Sequence, residues 1–256
     1  MTFIEVKNIK KVYRAKLATK GTEALSNVNF SVNKGEFIAI MGESGSGKTT
    51  LLNILSTLDK PTSGEVYLEG QPLSKIKDKE ISRFRRDTLG FVFQDFNLLD
   101  AFSLKDNIFL PLVLSKTPVS EMEQRIRPIA ANLGISEQLE RYPYEVSGGQ
   151  KQRAAVARAL ITQPKVLLAD EPTGALDSKA SQNLLETFER INKEGQTIMM
   201  VTHSVQAASY SNRVLFIRDG GVYHELYRGN LSTEEFRDKI AQSMLVVTNR
   251  GENYAE

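Results

Sequence analysis

Three short runs of unbroken apolar residues punctuate the chain: Phe37–Met41, Val166–Ala169 and Ile198–Val201. Each is bounded by polar or turn residues and none alternates. That is the pattern of strands covered on both faces, as in a parallel sheet flanked by helices. Elsewhere apolar and polar residues alternate. Val28, Phe30 and Val32 do so, as do Val66 and Leu68 between Glu65 and Glu69. Both segments are expected to be half-buried antiparallel strands. Val214–Ile217, the turn Asp219-Gly220-Gly221 and Val222–Leu226 predict a terminal hairpin.

Helical patterns separate these runs. Thr49 to Leu58 carries Leu51, Leu52, Ile54, Leu55 and Leu58 in one stripe. The stretch Asp95 to Gln163 shows no convincing strand. Within it, Ser120 and Glu123 have capping-box spacing, and Gly134 suits the stop of that helix. Ser147 is placed to cap a helix running to about Thr162, halted by Pro164. Ser232 and Glu235 open a last short helix, Ser232 to Leu245. The expected organisation is an α/β core interrupted by a helical lobe, without repeats or low-complexity segments.

At 256 residues, one large domain with an inserted lobe is the natural division, with a core that needs no staples. The absence of cysteine excludes disulfides, thiol catalysis and cysteine metal sites, and fits a reducing cytoplasm. With 33 basic against 31 acidic residues the net charge is +2, which argues against a dedicated nucleic-acid binder. No apolar run approaches the roughly eighteen residues of a membrane helix, and Met1 to Tyr13 holds no signal-like apolar region. The chain is therefore expected neither to be exported nor to span a membrane by itself.

Chemistry enters after the first apolar run. Gly42-Glu43-Ser44-Gly45-Ser46-Gly47-Lys48-Thr49 is G-x-x-x-x-G-K-[ST], set between an expected strand and an expected helix, the context this phosphate-loop motif requires. Its glycines let the backbone wrap a phosphate, successive N–H groups form an anion nest, and the helix N-terminus adds its positive dipole end. Lys48 is placed to reach the β- and γ-phosphates, and the Thr49 hydroxyl to ligate Mg²⁺. The second apolar run ends in Asp170-Glu171. A carboxylate at the C-terminal end of a parallel strand beside such a loop is where Mg²⁺ is held, so Asp170 is the candidate metal residue. Glu171 then faces the space beyond the γ-phosphate, as a candidate base for attacking water.

Ser147-Gly148-Gly149-Gln150 opens an alanine-rich helix between these two motifs. This order resembles the ATP-binding cassette (ABC) family, whose signature is LSGGQ, with Val146 here in place of Leu. The likeness runs from Tyr13 to about Gly221. It implies a P-loop NTPase core with a mixed parallel sheet, an N-terminal antiparallel β subdomain and an inserted α-helical subdomain. On that pattern residues 1–256 form one ATP-binding domain, with the core in 1–94 and 164–230, the helical subdomain in 95–163, and a helix and tail in 231–256. The resemblance further implies ATP and Mg²⁺ as ligands. It sets Tyr13 on adenine, Gly42 to Thr50 on the phosphates, and Gln94 on Mg²⁺ and water as a link to the helical lobe. Asp177, in Gly174-Ala175-Leu176-Asp177, resembles the loop that signals between subunits, and His203 the switch histidine at the γ-phosphate. Ser204, where many relatives have Asp, receives no role, and His224 is expected on the surface.

In this family the signature of one subunit faces the phosphate loop of another. One loop and one Ser147–Gln150 signature per chain therefore imply a second copy to complete two sites. A soluble P-loop kinase or GTPase is disfavoured by the signature, Gln94 and His203, and by the lack of N-K-x-D. A DNA- or ribosome-acting relative usually carries coiled coils or two cassettes, and neither is evident. Gln94-Asp95-Phe96-Asn97-Leu98-Leu99-Asp100 and Asp106-Asn107-Ile108-Phe109-Leu110-Pro111-Leu112, together with Glu171 to Asp177, look like the macrolide-export and lipoprotein-release group. Within that group the chain is most similar to ATPases of bacitracin- and lantibiotic-type resistance transporters of Gram-positive bacteria. A lipoprotein-releasing or cell-division relative is the alternative. Plain core is the lesser, alternative reading of Leu98, Leu99 and Phe102. The resemblance implies a permease partner, often one working with a sensor kinase, a position on the inner face of the cell membrane, and no nucleic acid. The transported substrate is chosen by the permease.

Overall fold

The computed structural model describes residues 2–14 and 21–249, with side chains through Leu245. Met1 and the end of the expected tail, 250–256, lie outside the described residues. Two long strands, β1 (Thr2–Tyr13) and β2 (Thr22–Asn33), precede β3 (Phe37–Met41), which feeds α1 (Lys48–Leu55). Then come β4 (Ser63–Leu68), the short β5 (Gln71–Pro72), α2 (Asp78–Thr88) and β6 (Leu89–Phe93). A helical stretch follows: α3 (Leu104–Leu114), α4 (Val119–Leu133) and α5 (Gly148–Leu160). The chain returns through β7 (Val166–Asp170), α6 (Ser178–Lys193), β8 (Thr197–Val201) and a single turn, α7 (Val205–Ala208). The hairpin β9 (Arg213–Arg218) and β10 (Gly221–Tyr227) leads to α8 (Thr233–Asn249).

The strands form two sheets. One has six strands in the order β10-β9-β3-β8-β7-β6, parallel except for the edge strand β10. The other is antiparallel, with β2, β1, β4 and β5 in order. This is the α/β P-loop architecture that the sequence pattern predicts. The unbroken apolar runs have a direct cause. Every residue of β3 and β8 is buried, because successive side chains enter two different cores. Phe37, Ala39 and Met41 pack with the side chains of α3 to α8, whereas Ile38 and Ile40 pack with α1 and the antiparallel sheet. Burying each large residue of this kind contributes about 1.5–3 kcal/mol.

Several expected boundaries shift for identifiable reasons. The first helix stops at Leu55 rather than Leu58: Thr57 adopts φ 59°, the N–H of Leu58 bonds back to the Asn53 carbonyl, and the Leu58 side chain is 55% exposed. The Ser120–Glu123 capping box does not form. Pro118 is the N-cap of α4 and makes no side-chain cap bond, so Ser120 already lies inside the first turn. Gly134 does end that helix, at φ 62°. The signature helix α5 ends at Leu160, two residues short of Thr162, ahead of Gln163 at φ 55°.

Four helices escape the pattern reading, the single turn α7 among them. Helix α2 buries none of its residues, so it has no apolar stripe to detect. Helix α3 contains Pro111 and starts from a capping box in which Ser103 and Asp106 bond reciprocally. Helix α6 is amphipathic, burying Leu184, Leu185 and Phe188, and its start is capped by Asp177. The loop before α3 is held by Asn107, which is fully buried. Its Oδ1 accepts from the Leu99 N–H at 2.7 Å, and its Nδ2 donates to the carbonyls of Leu99, Phe102 and Ser103. Leu98 packs half-buried against the core, while Leu99 and Phe102 are exposed, so the cluster is only partly core. Asn107→Ala leaves these backbone groups without their partner at a buried site. It should lower unfolding stability by about 1–3 kcal/mol, read from urea melts; an unchanged midpoint would contradict this account of the loop.

Candidate nucleotide site

The register of the central sheet brings the site together. Phe93 pairs with Asp170, Asp170 with Val201, and Val201 with Ile40. Four strands therefore end in one row, with neighbours about 4.8 Å apart. Gln94, Glu171, Thr202 and the loop after Met41 leave the sheet side by side. Ligands of open α/β sheets bind at such carboxyl ends.

The loop Gly42–Gly47 curls directly into α1. Gly45 and Gly47 adopt φ 80° and 101°, a region that side chains resist. A Cβ on Gly47 would also lie 2.4 Å from the Ala24 carbonyl oxygen, and one on Gly42 would lie 2.3 Å from that of Ile217. The Lys48 side chain is folded into the cradle, donating to the carbonyls of Gly42 at 2.8 Å and Glu43 at 2.7 Å. Burial lowers the Lys48 pKa, opposed by the charges of Glu171 and Asp170. The Ser46 hydroxyl is buried within the loop and has no hydrogen-bond partner. A cradle closed on its own lysine, with an orphaned hydroxyl and a helix N-terminus behind it, fits a phosphate group.

Beside it stand two carboxylates. Asp170 is partly buried, and burial raises its pKa, with the adjacent Glu171 charge adding to the effect and Lys48 opposing it. Glu171 sits at φ 46°, its N–H bonded to the Val201 carbonyl. This unusual backbone turns its side chain toward β8. There Oε2 accepts from the Thr202 hydroxyl at 3.1 Å and Oε1 lies 2.8 Å from His203 Nδ1. The His203 ring is otherwise largely exposed, at 75%. No group of three or more His, Asp or Glu able to hold a metal unaided occurs among the described residues. Thr49, Asp170 and Gln94 suit Mg²⁺, which binds through one or two carboxylates together with substrate phosphates and water.

The remaining candidates surround this centre. Gln94 lies against Gly174, where a Cβ would come within 2.9 Å of its side chain. Tyr13, on the antiparallel sheet, is 44% exposed and donates its hydroxyl to Asp59 at 2.7 Å. Lys11 pairs with the same carboxylate and sits over the Tyr13 ring, 4.8 Å from its centre. Ser147 caps α5: its Oγ accepts from the Gln150 N–H, and Gln150 Oε1 accepts from the Ser147 N–H. The nearest neighbours of Gly148 are Leu176, Phe96 and Ala175, and those of Gly149 are Ala180 and Arg153. The signature thus sits beside Asp177's loop, not the phosphate loop. Asp177 accepts from the Ala180 N–H and serves locally as the α6 cap. His224 is exposed and stacks on Phe216.

Three linking residues carry no motif signal of their own. Gln152 is fully buried on α5, and its amide donates to the carbonyls of Phe93 and Pro172, tying the signature helix to the residues flanking Gln94 and Glu171. Arg158 donates to the carbonyls of Phe96 and Asn97 and holds them in left-handed conformations. Thr202 reads in sequence only as the polar end of an apolar run. A cavity of about 470 Å³ opens beside Glu171 and His203 between α6 and α7. A larger one, about 820 Å³, lies at the other end of the strands beside Lys34, Lys165 and Thr197, and none of the site residues borders it.

Asp170 supplies a test of the electrostatics. Its folded pKa is raised, so the ionised form costs stability above the folded pKa and costs nothing below the unfolded value near about 4. In chelator and without nucleotide, Asp170→Asn should therefore be more stable than the parent at pH 7. The gain should fade as pH falls toward 4. A variant less stable than the parent at pH 7 in denaturant melts would contradict the assignment.

Comparison with known proteins agrees with this geometry. A family model described as ABC transporter matches residues 25–174. The bacitracin export ATP-binding protein BceA of Halalkalibacterium halodurans is 46% identical over 248 residues, covering 96% of this chain and 97% of that protein. The macrolide export ATP-binding/permease protein MacB of Hyphomonas neptunium is 40% identical over 232 residues, covering 91% of this chain and 36% of that protein. Among solved structures, a dimeric post-hydrolysis state of the ATP-binding cassette MJ0796 bound to ADP and Pi superposes with a TM-score of 0.79 at 38% identity, covering 88% of this chain and 98% of that chain. With the phosphate loop, paired carboxylates and signature helix in one fold, the chain belongs to the ABC transporter family and is one of its ATP-hydrolysing subunits.

Proposed function

We propose that this subunit works as an ATP-driven clamp: two copies enclose two ATP molecules and transmit closure to a membrane permease. The observation that carries the reading is the division of the site within one chain. Phosphate loop, carboxylates and switch histidine share one row of strand ends, while Ser147 sits with its exposed hydroxyl beside Asp177's loop. A second copy packed head to tail brings Ser147 and its helix N-terminus to the γ-phosphate. The dimeric cassette bound to ADP and Pi supports this arrangement.

Residue roles follow. The Lys48 ammonium exchanges the carbonyls of Gly42 and Glu43 for β- and γ-phosphate oxygens. The loop amides from Gly42 to Thr50 hold the phosphates, and Tyr13 offers a ring face to the adenine. Thr49, Asp170 and Gln94 hold Mg²⁺, which neutralises phosphate charge. Glu171 orients a water in line with the γ-phosphate and takes its proton as the new P–O bond forms and the bond to ADP breaks. His203 leaves Glu171 and contacts the γ-phosphate. Ser147, Gly148, Gly149 and Gln150 act on the other chain's nucleotide, and Asp177 lies at the junction between copies.

No helix among the described residues is long and apolar enough to cross a membrane. In this reading membrane association is assigned to a permease partner. Val113, Leu114, Val119 and Tyr144 of the helical lobe are each more than half exposed, which offers apolar side chains to a permease, and MacB joins an ATP-binding part to a permease in one protein. The likeness to BceA over nearly the whole chain favours export of, or resistance to, peptide antibiotics of the bacitracin class. A sensor kinase, which the sequence resemblance brings with it, has no support among these relatives and is left out of the reading.

Glu171→Gln should bind ATP normally, hydrolyse it at least a hundredfold more slowly, and elute as a dimer with ATP but as a monomer without. Hydrolysis at the parent rate would remove Glu171 from its role. The permease that co-purifies from native membranes tests the antibiotic reading: one conferring bacitracin resistance supports it, and a lipoprotein-releasing one overturns it.

A further inference from the structure

We propose that Thr202 is a positioning residue for Glu171: its hydroxyl fixes the carboxylate so that one oxygen stays free for the attacking water. The inference rests on the reading of Glu171 as base and adds a residue to it. Thr202 follows β8 and is fully buried. Its N–H donates to the Ile40 carbonyl at 3.1 Å, which fixes its backbone to the strand leading into the phosphate loop. Its hydroxyl accepts from the Ser204 N–H at 3.0 Å. A hydroxyl has a single proton, and with that amide filling an acceptor site the proton points to Glu171 Oε2, 3.1 Å away.

The two carboxylate oxygens are thus held by different kinds of group. Oε1 meets His203, an exposed ring free to swing. Oε2 meets Thr202, which is buried and anchored at both backbone and side chain. When His203 moves to a γ-phosphate, Oε1 becomes free to take a proton while Thr202 keeps the carboxylate from rotating. The left-handed backbone of Glu171, at φ 46°, turns its side chain off the regular strand direction, so the hydroxyl rather than strand geometry sets its orientation. At 3.1 Å the bond is longer than the roughly 2.5–2.7 Å of the strongest hydroxyl–carboxylate bonds, so its effect is to orient the carboxylate, and misplacing a reacting group by about 1 Å costs about a hundredfold in rate.

The test compares Thr202→Val, which keeps the shape and loses the hydroxyl, with Thr202→Ser, which keeps the hydroxyl. Single-turnover hydrolysis of radiolabelled ATP is measured with the protein in excess, alongside ATP affinity and gel filtration with ATP. Thr202→Val should slow hydrolysis about tenfold to a hundredfold, leave ATP affinity within about twofold, and accumulate the ATP-bound dimer. Thr202→Ser should return to near the parent rate. Parent-rate hydrolysis in Thr202→Val, or equal slowing in both variants, would overturn the proposal. So would loss of ATP binding or of the dimer in Thr202→Val, because the role would then be structural. Glu171→Gln run in parallel separates the two claims: if it hydrolyses at the parent rate, the reading of Glu171 fails, and if only Thr202→Val does, Thr202 alone is dismissed.

Discussion

The parallel register of β6, β7, β8 and β3 is the constraint on which the rest of the molecule depends. It sets Phe93, Asp170, Val201 and Ile40 in one row, so that each following residue emerges at the same height. A slip of one residue in any strand would reverse which core each side chain enters and move its terminal group by a full residue. The continuous burial of β3 and β8 makes such slips costly. Stability and chemistry are thereby coupled, since the apolar runs that hold the sheet also aim Lys48, Asp170, Glu171 and His203 at one point.

What they aim is electrostatically strained without a ligand. Asp170 and Glu171 are adjacent carboxylates, and burial and mutual repulsion disfavour the charge on Asp170. Lys48 is drawn inward, away from solvent, and satisfies itself on backbone carbonyls that a phosphate would displace. The orphaned Ser46 hydroxyl is part of the same tension. On the proposed reading, nucleotide with its cation relieves each of these, and the binding energy closes the site. Gln152 gives that closure a path toward the lobe: it is fixed on α5 behind Ser147 and grips the backbone next to both Gln94 and Glu171.

Strands β2, β3, β4, β7 and β8 and the phosphate loop were legible in sequence because their causes are local, whereas β1, β5 and β6 were not predicted. Apolar runs report two-sided burial, and Gly45 and Gly47 report backbone angles that other residues resist. The terminal hairpin and the caps at Ser147 and Ser232 were legible for the same reason. Helix α2 was not, since it buries no residue fully, with Phe84 packing half-buried against the core, and its position follows from contacts across β6. The Ser120–Glu123 spacing misled because the N-cap is Pro118, two residues earlier. Gln152, Arg158 and Thr202 were invisible for a further reason: each acts on backbone or side chains distant in sequence, and nothing in their neighbourhood announces those partners. Asp170 and Glu171 became meaningful only in relation to a loop more than a hundred residues away.

The account's central claim is that neither site is complete within one chain. The chain contains no cysteine, so single cysteines can report the geometry directly. Ser147 and Ser44 are both exposed in the isolated chain. Chains carrying Ser147→Cys, mixed with differently tagged chains carrying Ser44→Cys, should be joined by a short bis-maleimide linker when ATP is present in the Glu171→Gln background. The joined species should contain one chain of each kind and should be absent without nucleotide. Linkage that ignores ATP, or that forms within a single chain carrying both cysteines under dilute monomeric conditions, would contradict the account.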